Sequence, residues 1–600
     1  MKFLKNIFRF VFFAFIIAMS FHGASNILWK AGVYAEGFQS AHFNYETVRT
    51  KSSMKGALVG IEAKSILPDD AVVKIITQKL NLTQVALRYH LFPIKTGDGE
   101  THIIDVNRTM VPLEGEKREL HNESVVYAKP PHNFVEKSEN FIRPSFFTVV
   151  LFVFFYTTWL VSVGALVLCL MKINIVNTGK SWFVSTSYLL GYGIFTCLVW
   201  VYLIGGGNLD RINILLLGVL LTAILSILYR AMDRKGIQNI FSINKDSFSY
   251  LKEKQAFLSG MCLIVLLISV FIITITTPVR DWDGMSHWIL KAKAIFHAKQ
   301  LVFDYTHLNY YPLLWPLNIS IQFELLGGMF DEVAQWTSAL FFLVFIMQLI
   351  KALAVIGVGH SIRYLMVIVF IINAFQNPFR EYITANFVIA NAENIFLAYL
   401  SAAISTILVW LRYRRRSEYM MLGVLMMCGL NLSKLEGGVA SIFLIVSLSL
   451  LLFNIKIKAR EKIWLGLSLL TVFLPLGWVH WINIHDYGSR LSHLRTSLSI
   501  EKLCILMKMS SQYFFINNLA LLFILGVLYL SVYPNKKNWN GMEKFLFLAS
   551  VLFLLFACFA IVGWPADRIA TLFPVVFSRL FLHAAPIFLL LLGSKLFSKL

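Results

Sequence analysis

Residues 278–316 hold the side chains of this 600-residue chain best suited to chemistry. Arg280, Asp281 and Asp283, then His287, Lys291 and Lys293, follow directly on a long apolar run. A carboxylate can take a proton from a hydroxyl, and an imidazole can pass one on. An ammonium can hold an anionic group as a point charge. A helix over 283–297 aligns Asp283, His287 and Lys291 at i, i+4 and i+8 as one polar stripe. Met285, Trp288, Ile289, Ala292, Ile295 and Phe296 then share the apolar face. The same pattern suits an ordinary amphipathic helix in the lipid interface, with Trp288 as its anchor and its charges solvated. Periodicity leaves both readings open.

The elements that must position these residues are membrane spans. With 57% of residues hydrophobic and 14% charged, no soluble domain could bury the apolar surface, so lipid is the solvent for most of the chain. Apolar runs of spanning length lie near 5–22, 145–171, 182–205, 211–230, 256–277, 332–356, 386–411, 437–454, 462–482, 512–533, 543–563 and 579–597. Shorter runs at 360–376 and 418–432 bring the expected count to about fourteen. The net charge of +21 resides mostly in short basic segments between these runs, such as the arginines of 412–416, as the positive-inside rule requires. That pattern argues against nucleic acid as a partner and puts both termini in the cytoplasm. It holds only if 312–328, broken by Pro312 and Pro316, does not cross; this segment reads as a helix in the outer interface.

The expected fold is therefore an all-α polytopic membrane protein with a small α/β extracytoplasmic domain. Residues 1–22 form an N-terminal anchor, preferred over a cleaved signal because no clean small-residue cleavage site follows. Residues 23–143 mix short apolar runs with turn residues and form the α/β domain. Accessory spans fill 144–255, and 256–600 form the core, with the outer loop 278–331 as its chemical part. The six cysteines show neither paired nor metal-ligand spacing.

Three more places carry ionisable residues at costly positions. Glu393 stands inside an apolar run, in NFVIANAENIFLAYL. Lys434 and Glu436 occupy the turn NLSKLEGG, where a paired Lys and Glu or a phosphate-binding Lys fits equally. Arg579, with His583 after it, marks the outer end of the last apolar run, as a phosphate ligand or as a snorkelling cation.

The order of these features resembles the GT-C glycosyltransferases, among them protein O-mannosyltransferases and the aminoarabinose transferase acting on lipid A. WDGMSHWILKAKAIF followed by NYYPLLWPL is similar to a bacterial group of this kind, and the resemblance covers roughly 256–600. It implies an inner-membrane enzyme that moves a sugar from a polyprenyl-phosphate-linked donor to an extracytoplasmic acceptor. It implies Asp283 as general base, or as the group that orients the acceptor hydroxyl, and Glu393 as the second acidic residue, where the family commonly has Asp. Arg280, Asp281, His287, Lys291, Lys293, Lys434, Glu436 and Arg579 are the substrate-binding candidates. No cofactor is required; some members of the family hold a divalent metal through an Asp-x-Asp such as Asp281 and Asp283, and others need none.

Two other classes fit parts of the pattern. A flippase or transporter of polyprenyl-linked glycans would place its polar residues near the bilayer midplane, in two related halves. Here the candidates collect at one face, and no halves repeat. An enzyme resembling O-antigen ligases would use Arg490, His493 and Arg495 in the outer region 483–511. Walker, dinucleotide-binding, Ser-His-Asp and zinc-protease patterns are absent from the sequence.

Overall fold

A computed structural model describes residues 71–76, 95–96, 102–105, 116–119, 125–128, 146–173, 179–232, 254–276, 284–302, 311–375, 392–413, 416–452, 459–484, 540–559 and 582–595, with a few single residues besides. The anchor at 1–22, the run at 512–533, the 483–511 candidates Arg490, His493 and Arg495, and Arg280, Asp281, Asp283 and Arg579 lie outside them.

The N-terminal region contains a five-stranded mixed sheet: β1 (Val72–Ile76), β2 (Lys95–Thr96), β3 (His102–Asp105), β4 (Glu116–Glu119) and β5 (Val125–Ala128), in the order β2-β1-β3-β5-β4. β1 runs parallel to both β2 and β3, while β5 is antiparallel to β3 and β4. Val73, Ile103, Ile104 and Val126 are buried, and burial of His102, Ile103 and Ile104 in succession shows that the central strand β3 is covered on both faces.

Beyond residue 145 the described chain is helical. The helices are α1 (Phe146–Leu170), α2 (Lys180–Ile204), α3 (Arg211–Met232) and α4 (Lys254–Thr276). After a π-helical turn (Gly284–Trp288) come α5 (Ile289–Ala298), α6 (Leu314–Leu326), α7 (Asp331–Val355), α8 (His360–Phe375) and α9 (Glu393–Arg412). α10 (Ser417–Ser433), α11 (Glu436–Leu452), α12 (Ala459–Thr471), α13 (Phe473–Ile484), α14 (Gly541–Phe559) and α15 (Leu582–Lys595) complete the set. Seven stretches among the described residues are long and apolar enough to cross a membrane: Phe147–Leu170, Lys180–Ile204, Arg211–Ala231, Gln255–Ile275, Asp331–Val355, Glu393–Arg412 and Ala459–Ile482. His360–Ile372, Glu436–Leu452 and Leu582–Lys595 are apolar but shorter. The run expected at 462–482 is interrupted at Val472, next to Pro475, whose missing N–H and ring disturb a continuous helix.

α9 is the axis of the bundle. The protein itself buries 94% of its apolar window, against 22% for α3 at the periphery. Small residues make this packing feasible: Ala398, Ser401, Ala402, Ala403 and Ser405 let neighbouring helices approach closely. Side-chain hydrogen bonds fix the relative directions. Asn394 Nδ2 donates to Ser338 Oγ at 2.8 Å and Ser405 Oγ to Gln348 Oε1 at 2.6 Å, so α7 and α9 run parallel. Tyr399 Oη donates to the Leu189 carbonyl at 2.8 Å and Trp182 Nε1 to Ser405 Oγ at 3.1 Å, so α2 runs against α9. α10 returns beside α9, with Gly429 under the Tyr399 ring; a Cβ there would lie 2.1 Å from a ring carbon. These registers bring the start of α2 and the end of α9, with Lys180 and Arg412, to one end of the bundle. Glu393 and Lys434 go to the other.

Two expectations change. The segment 312–328 does not lie on the lipid surface, because Leu314 to Phe323 of α6 are all buried inside the protein. Ser320 Oγ donates to the Ala292 carbonyl at 2.9 Å, tying α6 to α5. The apolar face of 283–297 does not rest in lipid either. Trp288 is buried and packs against Tyr311, with ring centroids 5.1 Å apart, and Ile289 to Ile295 are buried on every side, Lys291 included. Apolar periodicity shows that a face avoids water, but lipid and a neighbouring helix satisfy it equally.

Candidate functional site

Three helix ends meet at Glu393. It opens α9, where the partial positive charge of the helix N-terminus favours a carboxylate. The side chain is fully buried. Lys434 Nζ donates to Glu393 Oε1 at 2.5 Å, and His583 Nε2 lies 2.9 Å from Oε2. An ionised carboxylate only accepts, so Nε2 carries the hydrogen of this bond.

Lys434 sits in the turn between α10 and α11, where an extended backbone ends the first helix. Glu436, in the first turn of α11, approaches the same ammonium at 3.5 Å. The glycines of NLSKLEGG make this tight return feasible. A Cβ on Gly437 would meet the Leu430 carbonyl oxygen at 2.2 Å, so only glycine fits against the end of α10. Below the turn, Asn431 Nδ2 donates to the Thr471 carbonyl at 2.8 Å and Ser441 Oγ donates to Asn431 Oδ1 at 3.0 Å, binding α10, α11 and α12 together.

His583 is buried near the start of α15. Its ring lies 4.1 Å from that of Phe396, one turn along α9 from Glu393 and on the same face. Aromatic contact and carboxylate together fix the imidazole in position and orientation.

A second ionic pair ties α5 to the start of α7: Lys293 Nζ lies 3.0 Å from Asp331 Oδ1, both buried. Asp331 and Ser338 are about 10 Å apart along α7, and Ser338 holds Asn394 beside Glu393. The Lys293 pair and the Glu393 cluster therefore occupy the same end of the α7–α9 pair. His287 and Lys291 are buried in the same short segment, and burial lowers the Lys291 amine from an ordinary 10.5 to about 7.

Of the residues singled out in the sequence, the fold joins Glu393, Lys434 and Glu436, and puts His287, Lys291 and Lys293 together at the same end of the bundle. Both carboxylate oxygens of Glu393 are engaged, so the geometry favours it as the anchor of a cation and an imidazole over a free base. His583 is the member that sequence reasoning passed over in favour of Arg579. The usable signal was an imidazole inside an apolar run, which is costly unless partnered. Among the described residues, no three His, Cys, Asp or Glu side chains gather as a metal site.

Comparison with protein-family models, characterised proteins and solved structures returned no match. The chemistry of the site is therefore the basis for its interpretation.

Proposed function

We propose that this protein is a membrane glycosyltransferase of the GT-C type, moving a sugar from a polyprenyl-phosphate donor to an acceptor outside the cytoplasm. The observation that carries this reading is the buried Glu393–Lys434–His583 cluster. Ionisable groups inside an apolar bundle are expensive and are kept chiefly where function requires them. This cluster lies at the bundle end remote from the basic ends of α2 and α9, the end that the positive-inside rule assigns to the outside.

In this reading Asp283, just ahead of the π-turn, takes the acceptor hydroxyl proton as the oxygen attacks the anomeric carbon. The C–O bond to the donor phosphate breaks, and the lipid phosphate leaves with the bonding pair. Lys434 offers positive charge to that phosphate, which lowers the barrier to its departure. Glu393 and His583 hold Lys434 in place. The Lys293–Asp331 pair fixes α5, and with it the segment that Asp283 precedes.

The test is transfer from a labelled polyprenyl-phosphate sugar by the full chain in proteoliposomes. Asp283→Asn is expected to lose activity by about 10²–10⁴-fold while inserting normally. Full activity in a correctly inserted variant would remove Asp283 from the mechanism. Lys434→Gln should lower kcat as well as raise the KM for donor, since the charge that binds the phosphate also stabilises it as it leaves.

A further inference from the structure

The opposite end of the bundle holds a charged arrangement of another kind. Lys351 lies in the last turns of α7, and Arg363 in the first turn of α8, across the turn at 356–359. Both are half-buried and flank the four-residue turn that joins the two helices, which brings their like charges to the same corner of the bundle. Arg363 Nε is shielded from solvent and has no hydrogen-bond acceptor among the described residues. The first turn of α8 contains no acidic residue. Two adjacent cations withdrawn from bulk water are unfavourable unless an anion lies between them.

The surroundings indicate what kind of anion. Tyr364 packs over Gly260 of α4, where a Cβ would meet its ring at 3.6 Å. Along the same face of α4, Phe257, Met261 and Ile264 are 49%, 44% and 50% exposed, and Leu365 on α8 is 51% exposed. The cations thus stand beside an open apolar surface. They are also at the bundle end that holds Lys180 and Arg412, because Gln348 hydrogen-bonds Ser405 of α9 and Ser185 of α2.

We propose that Lys351 and Arg363 bind the phosphate of an anionic phospholipid, whose acyl chains lie along the exposed faces of α4 and α8. The guanidinium can grip a phosphate with two parallel N–H bonds, and the ammonium adds a point charge. A zwitterionic lipid fits less well, because among the described residues no carboxylate accompanies the pair to receive its amine. The site does not depend on the glycosyl-transfer reading.

The test uses the purified full chain in detergent, exchanged into mixed phosphatidylglycerol and phosphatidylcholine, with retained lipid identified by native mass spectrometry. Wild type should retain phosphatidylglycerol preferentially, and Lys351→Gln/Arg363→Gln should lower that retention by about tenfold. Lys351→Arg, which keeps both charges, should preserve it. Equal retention of both lipids by wild type overturns the proposal without recourse to any variant. Undiminished preference in the double variant also overturns it. Displacement of the bound lipid by inorganic phosphate would reassign the site to a soluble phosphate and reject the lipid assignment.

Discussion

At the scale of single residues, burial decides how the charges behave. Glu393→Gln strips the countercharge from Lys434 and a carboxylate acceptor from His583, and breaking a buried ion pair in this way costs about 3–5 kcal/mol. Removing both partners, as in Glu393→Gln/Lys434→Met, should cost less than the sum of the single changes, because no ammonium is left stranded. Thermal melting in detergent measures this, and strict additivity would show that the two groups do not interact. Lys291 supplies a pH test. Its folded value of about 7 lies below its ordinary 10.5, so between those values the folded protein binds fewer protons than the unfolded chain. Stability should accordingly rise as pH increases through that window, and the penalty for burying the charge is fully present below pH 7. Lys291→Met should flatten this part of the profile; an unchanged slope would locate the proton uptake elsewhere.

At the scale of elements, close contacts between helices are the sensitive features. A Cβ on Gly164 would lie 1.8 Å from the Ser187 carbonyl oxygen, and one on Gly191 would lie 1.9 Å from that of Leu160. α1 and α2 thus touch backbone to backbone at two levels, a small-residue contact of the kind that holds membrane helices together. Gly191→Leu should force them apart and lower the melting temperature well beyond the effect of Gly466→Leu, whose Cβ would meet nothing. Elements were also what the sequence revealed best. The runs at 145–171, 182–205 and 332–356 differ from α1, α2 and α7 by a residue or two, because length and apolarity alone define a span. The partners of each face were not readable. α5 and α6 carry the right pattern, yet protein rather than lipid covers them. The π-turn at Gly284–Trp288 also changes the register that a regular helix would give His287 relative to Lys291. The Glu393–His583 contact joins residues 190 apart, a separation on which local periodicity is silent.

At the scale of the whole molecule, the alternation of helix directions separates two chemical environments. Glu393, Lys434 and His583 lie at one end. At the other, Lys595 pairs with Glu543 at 2.6 Å, and the basic ends of α2 and α9 gather. In a cysteine-free background, Asp283→Cys should react with a membrane-impermeant maleimide from outside intact cells, and Ser417→Cys only after permeabilisation. The reverse result would invert the molecule in the bilayer and place the Glu393 end in the cytoplasm.

The order of the cluster's residues along the chain bears on how it can assemble. Lys434 follows Glu393 by 41 residues, within the hairpin of α9 and α10, whereas His583 follows by 190. The carboxylate and ammonium can therefore enter the membrane as a mutually neutralised pair, sparing the insertion machinery a lone charge. The imidazole arrives only when α15 docks, so a nascent chain released before that helix would hold its acid and cation without the histidine that orients them.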